Sequence, residues 1–400
     1  MSEPVSRAGR FVKQSAGYTA FVPAPLPPDP PPQMDGAMVG LLSRADQAVG
    51  RLDGVARTLP NPDLFVAMYV RREAVLSSQI EGTQSTLEDV LAFELDPRHR
   101  GVPQDVEEVV NYVKAMNYGL ERLATLPLSL RLICEIHAEL MSGVRGADKL
   151  PGEFRRSQNW IGPGGAGLSE ASFVPPPIPE MTNALHDLET FLHTKDNLLP
   201  TLVRCGLVHA QFETIHPFLD GNGRAGRLLI TFQLVQAGVL HRPLLYLSYY
   251  IKRHKAEYYD RLTAIREDGN WEGWLRFFLR GVAETAEEAT TTAEAIVGLR
   301  EEHREFLQDE GLGLNGLRLL DLLFRRPLIN VNLVKDRLDV AFRTANDLVD
   351  RLVTLEVLEE ITGGQRNRVF RYSPYWRLLR EPDAAVEEDA PMQTTESEEQ

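Results

Sequence analysis

Twelve consecutive residues, His216-Pro217-Phe218-Leu219-Asp220-Gly221-Asn222-Gly223-Arg224-Ala225-Gly226-Arg227, combine a base, a carboxylate, three glycines and two guanidiniums. One apolar helical pattern ends near Thr214 and another starts near Asn222 or Gly223, so this loop leads into a helix N-terminus. Backbone N–H groups of Gly221, Asn222 and Gly223 can converge there, and such a nest binds phosphates. Arg224 and Arg227, three apart on the new helix, occupy neighbouring positions of one face and suit the oxygens of a polyphosphate. Asp220, at the mouth of the nest, is a hard oxygen ligand for a divalent cation shared with substrate phosphates. His216, with an ordinary pKa of about 6.5, suits removal of a proton from a hydroxyl near neutral pH. Together the groups describe phosphoryl or nucleotidyl transfer, where the protein supplies mainly position and electrostatics.

A second group lies far upstream. Ser77 and Glu81 are i and i+4 at the end of a predicted helix, roughly 6 Å apart on one face, and Gly82 fits the stop that follows. On their own they read more readily as a solvated serine and glutamate.

The segment HPFLDGNGRAGR resembles the signature of the Fic (filamentation induced by cAMP) family at every defined position. That resemblance implies an all-helical core with a β-hairpin flap, and transfer of AMP from ATP to a Ser, Thr or Tyr hydroxyl. It implies His216 as the base, Phe218 as the anchor of the loop, and Asp220 as the ligand of Mg²⁺ or Mn²⁺. Gly221, Asn222 and Gly223 would form an anion hole. Arg224 and Arg227 would hold the β- and γ-phosphates, with Ala225 and Gly226 in the same ATP-binding stretch. Relatives that phosphorylate instead depart from Gly-Asn-Gly-Arg; this chain does not, which favours AMP transfer. Ser77-Ser-Gln-Ile-Glu81-Gly82 resembles the inhibitory motif of the family. The implied device is an intramolecular brake in which Glu81 pairs with Arg227 where the γ-phosphate would sit, while Ser77 bonds to the nest. Tyr258 and Tyr259, on a helix after the motif, are candidates for stacking on adenine.

The elements that must position these groups are mainly helical. Apolar residues recur at three and four positions over 37–59, 63–79, 87–93, 105–125, 129–141, 178–193, 200–214, 223–237, 249–268 and 271–299. Residues 1–36 contain PAPLPPDPPP and read as an extended segment, since proline fixes φ and removes donors. Residues 37–299 are then the Fic-type core, with the inhibitory helix at about 63–82 and the active-site loop at 216–227. Two β-capable stretches around a glycine-rich turn, between Phe154 and Val174, predict a hairpin over about 152–176. By resemblance this is the flap, which would align a protein target by strand addition near His216. Three short helices, 317–324, 331–338 and 343–355, precede two strand-like stretches around Gly363-Gly364, which predicts a winged helix over 312–375. Residues 381–400 are acidic and poor in large apolar groups, so they read as disordered. The expected fold class is mainly α: a Fic-type helical core with a β-hairpin flap, then a small winged-helix (α+β) domain.

Bulk properties narrow the partners. A net charge of −14, from 57 acidic and 43 basic residues, disfavours a protein that coats nucleic acid but permits one small DNA-reading module. Helix 343–355 carries Arg343, Thr344, Asn346 and Arg351 but also Asp347 and Asp350, so DNA and a protein partner stay equally open for the winged helix. Cys134 and Cys205 read as reduced core thiols. No secretion signal or membrane-length apolar run is present, so the expectation is a cytoplasmic protein without a membrane partner. The leading reading is a self-inhibited protein AMP transferase using ATP and Mg²⁺ or Mn²⁺, acting on a target docked at the flap or on itself, and able to form a homodimer. The alternatives are a DNA-binding regulator with a nucleotide-sensing core, and a de-AMPylase whose Glu81 orients a water.

Overall fold

The computed structural model describes residues 6–58, 62–97, 103–162, 167–194, 199–364 and 366–379. It divides into two compact units, Met1–Thr291 and Thr292–Gln400. The first opens with the antiparallel strands β1 (Gly9–Lys13) and β2 (Thr19–Pro23), in a register that sets Phe11 opposite Phe21. Ten helices follow: α1 (Gly36–Thr58), α2 (Pro62–Ile80), α3 (Leu87–Leu95), α4 (Val106–Leu123), α5 (Leu130–Leu140), α6 (Ile178–His193), α7 (Thr201–Ile215), α8 (Asn222–Gln236), α9 (Ser248–Arg253) and α10 (Lys255–Asp268). The long α11 (Trp271–Asp309) begins in this unit and continues into the second.

Local chemistry sets several of these boundaries. Thr86 and Asp89 form a reciprocal capping box at the start of α3, and Ser129 accepts from the Leu132 N–H at the start of α5. Helix α7 is buried on every side from Leu202 to Ile215, apart from Arg204, which places it at the centre of the bundle. Gly206 admits α11 beside it: a Cβ there would press on the Phe278 ring, and its carbonyl accepts from Trp274 Nε1 at 2.8 Å.

Four differences from the sequence reading have physical reasons. Residues 9–23 fold as a hairpin rather than a simple extended segment, because pairing of the two strands satisfies their backbone groups while the adjacent Ala20 and Phe21 of β2 are both buried. The hairpin is tied down by Phe21 N–H to the Val174 carbonyl (2.9 Å), by Gln211 Nε2 to the Ala24 carbonyl (2.8 Å) and by an Arg7–Glu272 ion pair. The predicted helix 249–268 breaks at His254 (φ −111°, ψ 34°) into α9 and α10. The expected flap is a hairpin joined by a single bridge, Ile161 to Phe173, with a 3-10 turn at Leu168–Glu170. The centre of its turn, 163–166, lies outside the described residues. Finally, α11 runs ten residues beyond its expected end at Leu299, to Asp309.

The second unit contains α12 (Gly313–Arg325), β3 (Leu328–Ile329), α13 (Val331–Leu338), α14 (Phe342–Thr354), β4 (Glu359–Glu360), β5 (Phe370–Arg371) and α15 (Ser373–Leu379). Its three strands pair antiparallel in the order β3-β5-β4. Strand β3 and helix α15 were not anticipated; both are too short for periodicity to reveal. The acidic segment 381–400 lies outside the described residues. Among the described residues, no helix is long and apolar enough to cross a membrane.

Candidate functional site

Helix α7 ends at His216, whose backbone is left-handed (φ 49°, ψ 60°), and α8 begins after Gly221 (φ 75°). A left-handed histidine is strained and persists only where its surroundings over-determine it. Here they do. The His216 carbonyl accepts from Arg155 Nε (3.1 Å) and Asn159 Nδ2 (3.2 Å), and the Pro217 carbonyl accepts from the Arg155 N–H (2.8 Å). Asn222 closes the loop on itself, its Oδ1 accepting from Phe218 N–H and its Nδ2 donating to the Phe218 carbonyl, both at 2.8 Å. The Asn222 side chain is thereby used within the loop, so its backbone N–H is what remains for an anion. Phe218 is fully buried and stacks on the His137 ring at 3.7 Å.

His137 was not singled out by sequence, yet it aims the loop. Its Nδ1 accepts from Gly152 N–H (2.9 Å), so Nε2 carries the proton and donates to the Asp220 carbonyl (3.0 Å). Burial lowers the His137 pKa to about 4, which keeps that neutral tautomer in place. Enclosure likewise lowers His216 to about 4, although the Glu81 charge works against it. His216 is therefore a neutral imidazole at pH 7, able to accept a proton.

The two arginines have different partners. Arg224 is buried in an ion pair with Glu108 (3.0 Å) and lies 3.9 Å from Asp220 Oδ1. Arg227 donates from Nε to Ser77 Oγ (2.8 Å), and from Nη2 to the Ser77 carbonyl (2.9 Å) and Glu81 Oε1 (2.9 Å). The residues expected to form the brake are thus brought together, with one difference. Ser77 meets the Arg227 guanidinium rather than the nest, because it sits one turn before Glu81 and level with that side chain. Burial works to raise the Glu81 pKa, but Arg227 outweighs it and keeps the carboxyl below its ordinary value. Gly82 (φ 101°) turns the chain away directly after Glu81. At Gly223 a Cβ would overlap the Glu81 carboxylate, which shows how closely the acid approaches the nest.

Behind this contact lies a buried polar chain invisible to local sequence. Glu73, one turn before Ser77 on α2, accepts from Ser248 Oγ (2.5 Å) and Tyr112 OH (3.1 Å), and burial pushes its pKa up to about 7. Glu213, one turn before His216, is raised to about 7 for the same reason.

Asp220 Oδ1 accepts from Gly221 N–H (2.7 Å), and Lys149 Nζ is 3.5 Å from Oδ2. No group of three His, Cys, Asp or Glu gathers to hold a metal among the described residues. A partly exposed carboxylate beside an anion nest instead fits a cation whose remaining ligands are phosphates and water. The base-stacking expectation is corrected for Tyr258. Its ring is 2% exposed, its hydroxyl is 2.9 Å from His209 Nε2, and Trp274 packs on its edge, so no face is left for adenine. Tyr259 is 42% exposed and keeps that candidacy alone.

Residues 39–121 match the Fic/DOC family N-terminal model, and residues 127–234 match the Fic/DOC family model. Over these two stretches the chain resembles Fic/DOC family proteins. Relatives named Protein adenylyltransferase Fic include those of Aedes aegypti, 32% identical over 161 residues, and Drosophila grimshawi, 29% identical over 182 residues. These matches take in 40% and 45% of this chain, but only 28% and 33% of the relatives' lengths. A Fic family protein from Desulfovibrio desulfuricans G20 shares the fold, with a TM-score of 0.57 at 21% identity over 86% of this chain and 97% of that one. A Fic domain containing signaling protein from Bacteroides thetaiotaomicron gives 0.51 at 17% identity, over 64% of this chain and 97% of its own.

Proposed function

We propose that this protein transfers AMP from ATP to a hydroxyl of a protein, itself included, and restrains itself through Glu81. The observation that carries the reading is the loop between α7 and α8: a neutral His216 beside an N-terminal nest with Arg227 one turn further on. The adenylyltransferase names of the relatives support the same chemistry.

In the proposed reaction the N–H groups of Asn222 and Gly223, joined by that of Gly221 once Asp220 Oδ1 releases it, donate to phosphate oxygens at the start of α8, where the helix dipole favours negative charge. Arg227, freed from Glu81, grips the γ-phosphate and so fixes the α-phosphate opposite His216. Arg224 faces the same nest but is held by Glu108, so it acts on the phosphates as a member of that pair. His216 takes the proton of the incoming hydroxyl as its oxygen attacks the α-phosphorus, and pyrophosphate departs. Asp220 would hold Mg²⁺, which screens the phosphate charge when bound. The Ile161–Phe173 hairpin is the proposed dock for the target strand, and Tyr259 the proposed adenine contact.

The test is incubation with α-labelled ATP and Mg²⁺. Label is expected on protein with wild type and to vanish with His216→Ala, while ATP binding persists because the base acts on the hydroxyl. Undiminished labelling by folded His216→Ala sinks the mechanism.

A further inference from the structure

The brake rests on one carboxylate, and Glu81 lies just past the last residue of α2. The body of α2 is firmly held. Arg71 pairs with Glu94 of α3 at 2.9 Å, Arg72 with Glu288 of α11 at 2.9 Å, and Glu73 is enclosed by Tyr112 and Ser248. None of these contacts reaches the end of the helix. The final carbonyl groups of any helix lack partners within it and must find them elsewhere.

Lys255, the first residue of α10, supplies one. Its Nζ donates to the Ile80 carbonyl at 2.8 Å. One turn earlier, on α9, Lys252 Nζ donates to Gln79 Oε1 at 2.8 Å. The Ile80 carbonyl belongs to the same peptide group as the Glu81 N–H, and that N–H donates to the Ser78 carbonyl at 3.0 Å. The peptide plane from which Glu81 projects is therefore fixed at both ends, with Lys255 on its oxygen. A cation at a helix C-terminus also meets the negative end of the helix dipole.

We infer that Lys255 is a positioning residue for the inhibitory carboxylate, a latch that holds the last turn of α2 so that Glu81 stays on Arg227. The latch makes the brake a property of two elements 175 residues apart rather than of the inhibitory motif alone. It also ties the brake to α10, the helix that carries Tyr259, so displacement of α10 loosens Glu81. This inference rests on the brake reading, and its test separates the two.

The experiment compares wild type, Lys255→Met, Lys255→Arg, Glu81→Gly and the Lys255→Met/Glu81→Gly double variant. Two quantities are measured: the rate of self-labelling from α-labelled ATP, and amide hydrogen exchange across 79–83. Lys255→Met should raise labelling about ten-fold, the lower end of what one charge-assisted hydrogen bond supplies, and should speed exchange at 79–83 by a similar factor. Lys255→Arg keeps a donor and should stay near wild type in both. The double variant should label at the rate of Glu81→Gly alone, because a latch has nothing to hold once the carboxylate is gone.

Unchanged exchange at 79–83 in Lys255→Met overturns the latch, whatever labelling does. So does a wild-type labelling rate in Lys255→Met while Glu81→Gly is activated. A double variant faster or slower than Glu81→Gly places Lys255 in the reaction itself and also overturns it. Glu81→Gly at the wild-type rate removes the brake, and the latch's function with it.

Discussion

Arg227 and Arg368 each reach from one element to an acid on or beside a helix, at 2.9 Å from Glu81 and 3.1 Å from Asp350. Their surroundings differ. The Arg227 side chain is 2% exposed, holds two further hydrogen bonds to Ser77, and belongs to a chain of buried groups that includes Glu73 and Tyr112. Arg368 is 33% exposed and its partner 46%. Charges that water reaches attract each other weakly, whereas a buried guanidinium must keep a partner of opposite sign. Under the proposed brake the same pair of functional groups would be a switch in the first unit, where a phosphate would replace the carboxylate, whereas in the second it is a minor surface contact.

The sharpest way to break this contrast is at Glu81. Glu81→Gly leaves Arg227 buried and able to take a γ-phosphate, so labelling from α-labelled ATP should rise roughly 10- to 100-fold, the factor equivalent to the 1.5–3 kcal/mol of a hydrogen bond to a charged group. Arg227 serves both states, so Arg227→Ala should lower the rate, alone and combined with Glu81→Gly. Initial rates of the four proteins check this. A double variant as fast as Glu81→Gly would show that Arg227 does not hold the phosphate.

A second buried pair sharpens the comparison without touching the brake. Glu108→Leu removes the nearer partner of Arg224 and leaves a guanidinium 1% exposed with only the more distant Asp220, at 3.9 Å, to offset its charge. Breaking a buried pair from one side destabilises by about 3–5 kcal/mol. Denaturant unfolding followed by circular dichroism should show that loss; a change below about 1 kcal/mol would mean that Asp220, whose Oδ1 lies 3.9 Å from Arg224, or water compensates the guanidinium more fully than its burial indicates.

The loop was legible because it packs its chemistry into twelve residues at 216–227, and the residues of the proposed brake, 77–82, were legible only through their resemblance to the family's inhibitory motif. Helices with clear apolar periodicity were legible too, and 178–193 and 331–338 coincide with α6 and α13. What sequence did not reveal are the groups that hold this chemistry in place. His137, Asn159, Glu108 and Lys255 reach the site from helices or loops far away in the chain, and nothing beside them marks their role. Pairings of that kind depend on tertiary packing. The β1–β2 hairpin was missed for a related reason: the proline run after it dominated the reading, while its strands are only five residues each and the burial of the adjacent Ala20 and Phe21 depends on tertiary packing. Tyr258 erred in the other direction, as a ring that looked available by composition is enclosed by Trp274 and His209.

The smallest effect belongs to the second unit, and it bears on what α14 meets. Arg343 lies 4.0 Å from Asp347, Arg351 lies 2.6 Å from Glu310, and Arg368 bridges Asp350 and Asn346. Each cation on or over this helix is matched by an acid, so the face gathers little net positive charge. If it reads DNA, as the proposed winged helix could, its phosphate contacts must first take arginines from their carboxylates. Arg368→Ala should change stability by under about 1 kcal/mol, as exposed pairs do. It should alter retention on a double-stranded DNA column in 150 mM salt hardly at all, since the wild type itself is expected to bind weakly there. Asp350→Asn gives the opposite arm: it frees Arg368 and should increase retention if a latent phosphate contact exists. Wild-type retention at 150 mM salt that falls sharply with Arg368→Ala would overturn the comparison, because a screened surface pair would then control binding as strongly as the buried pair is proposed to control transfer.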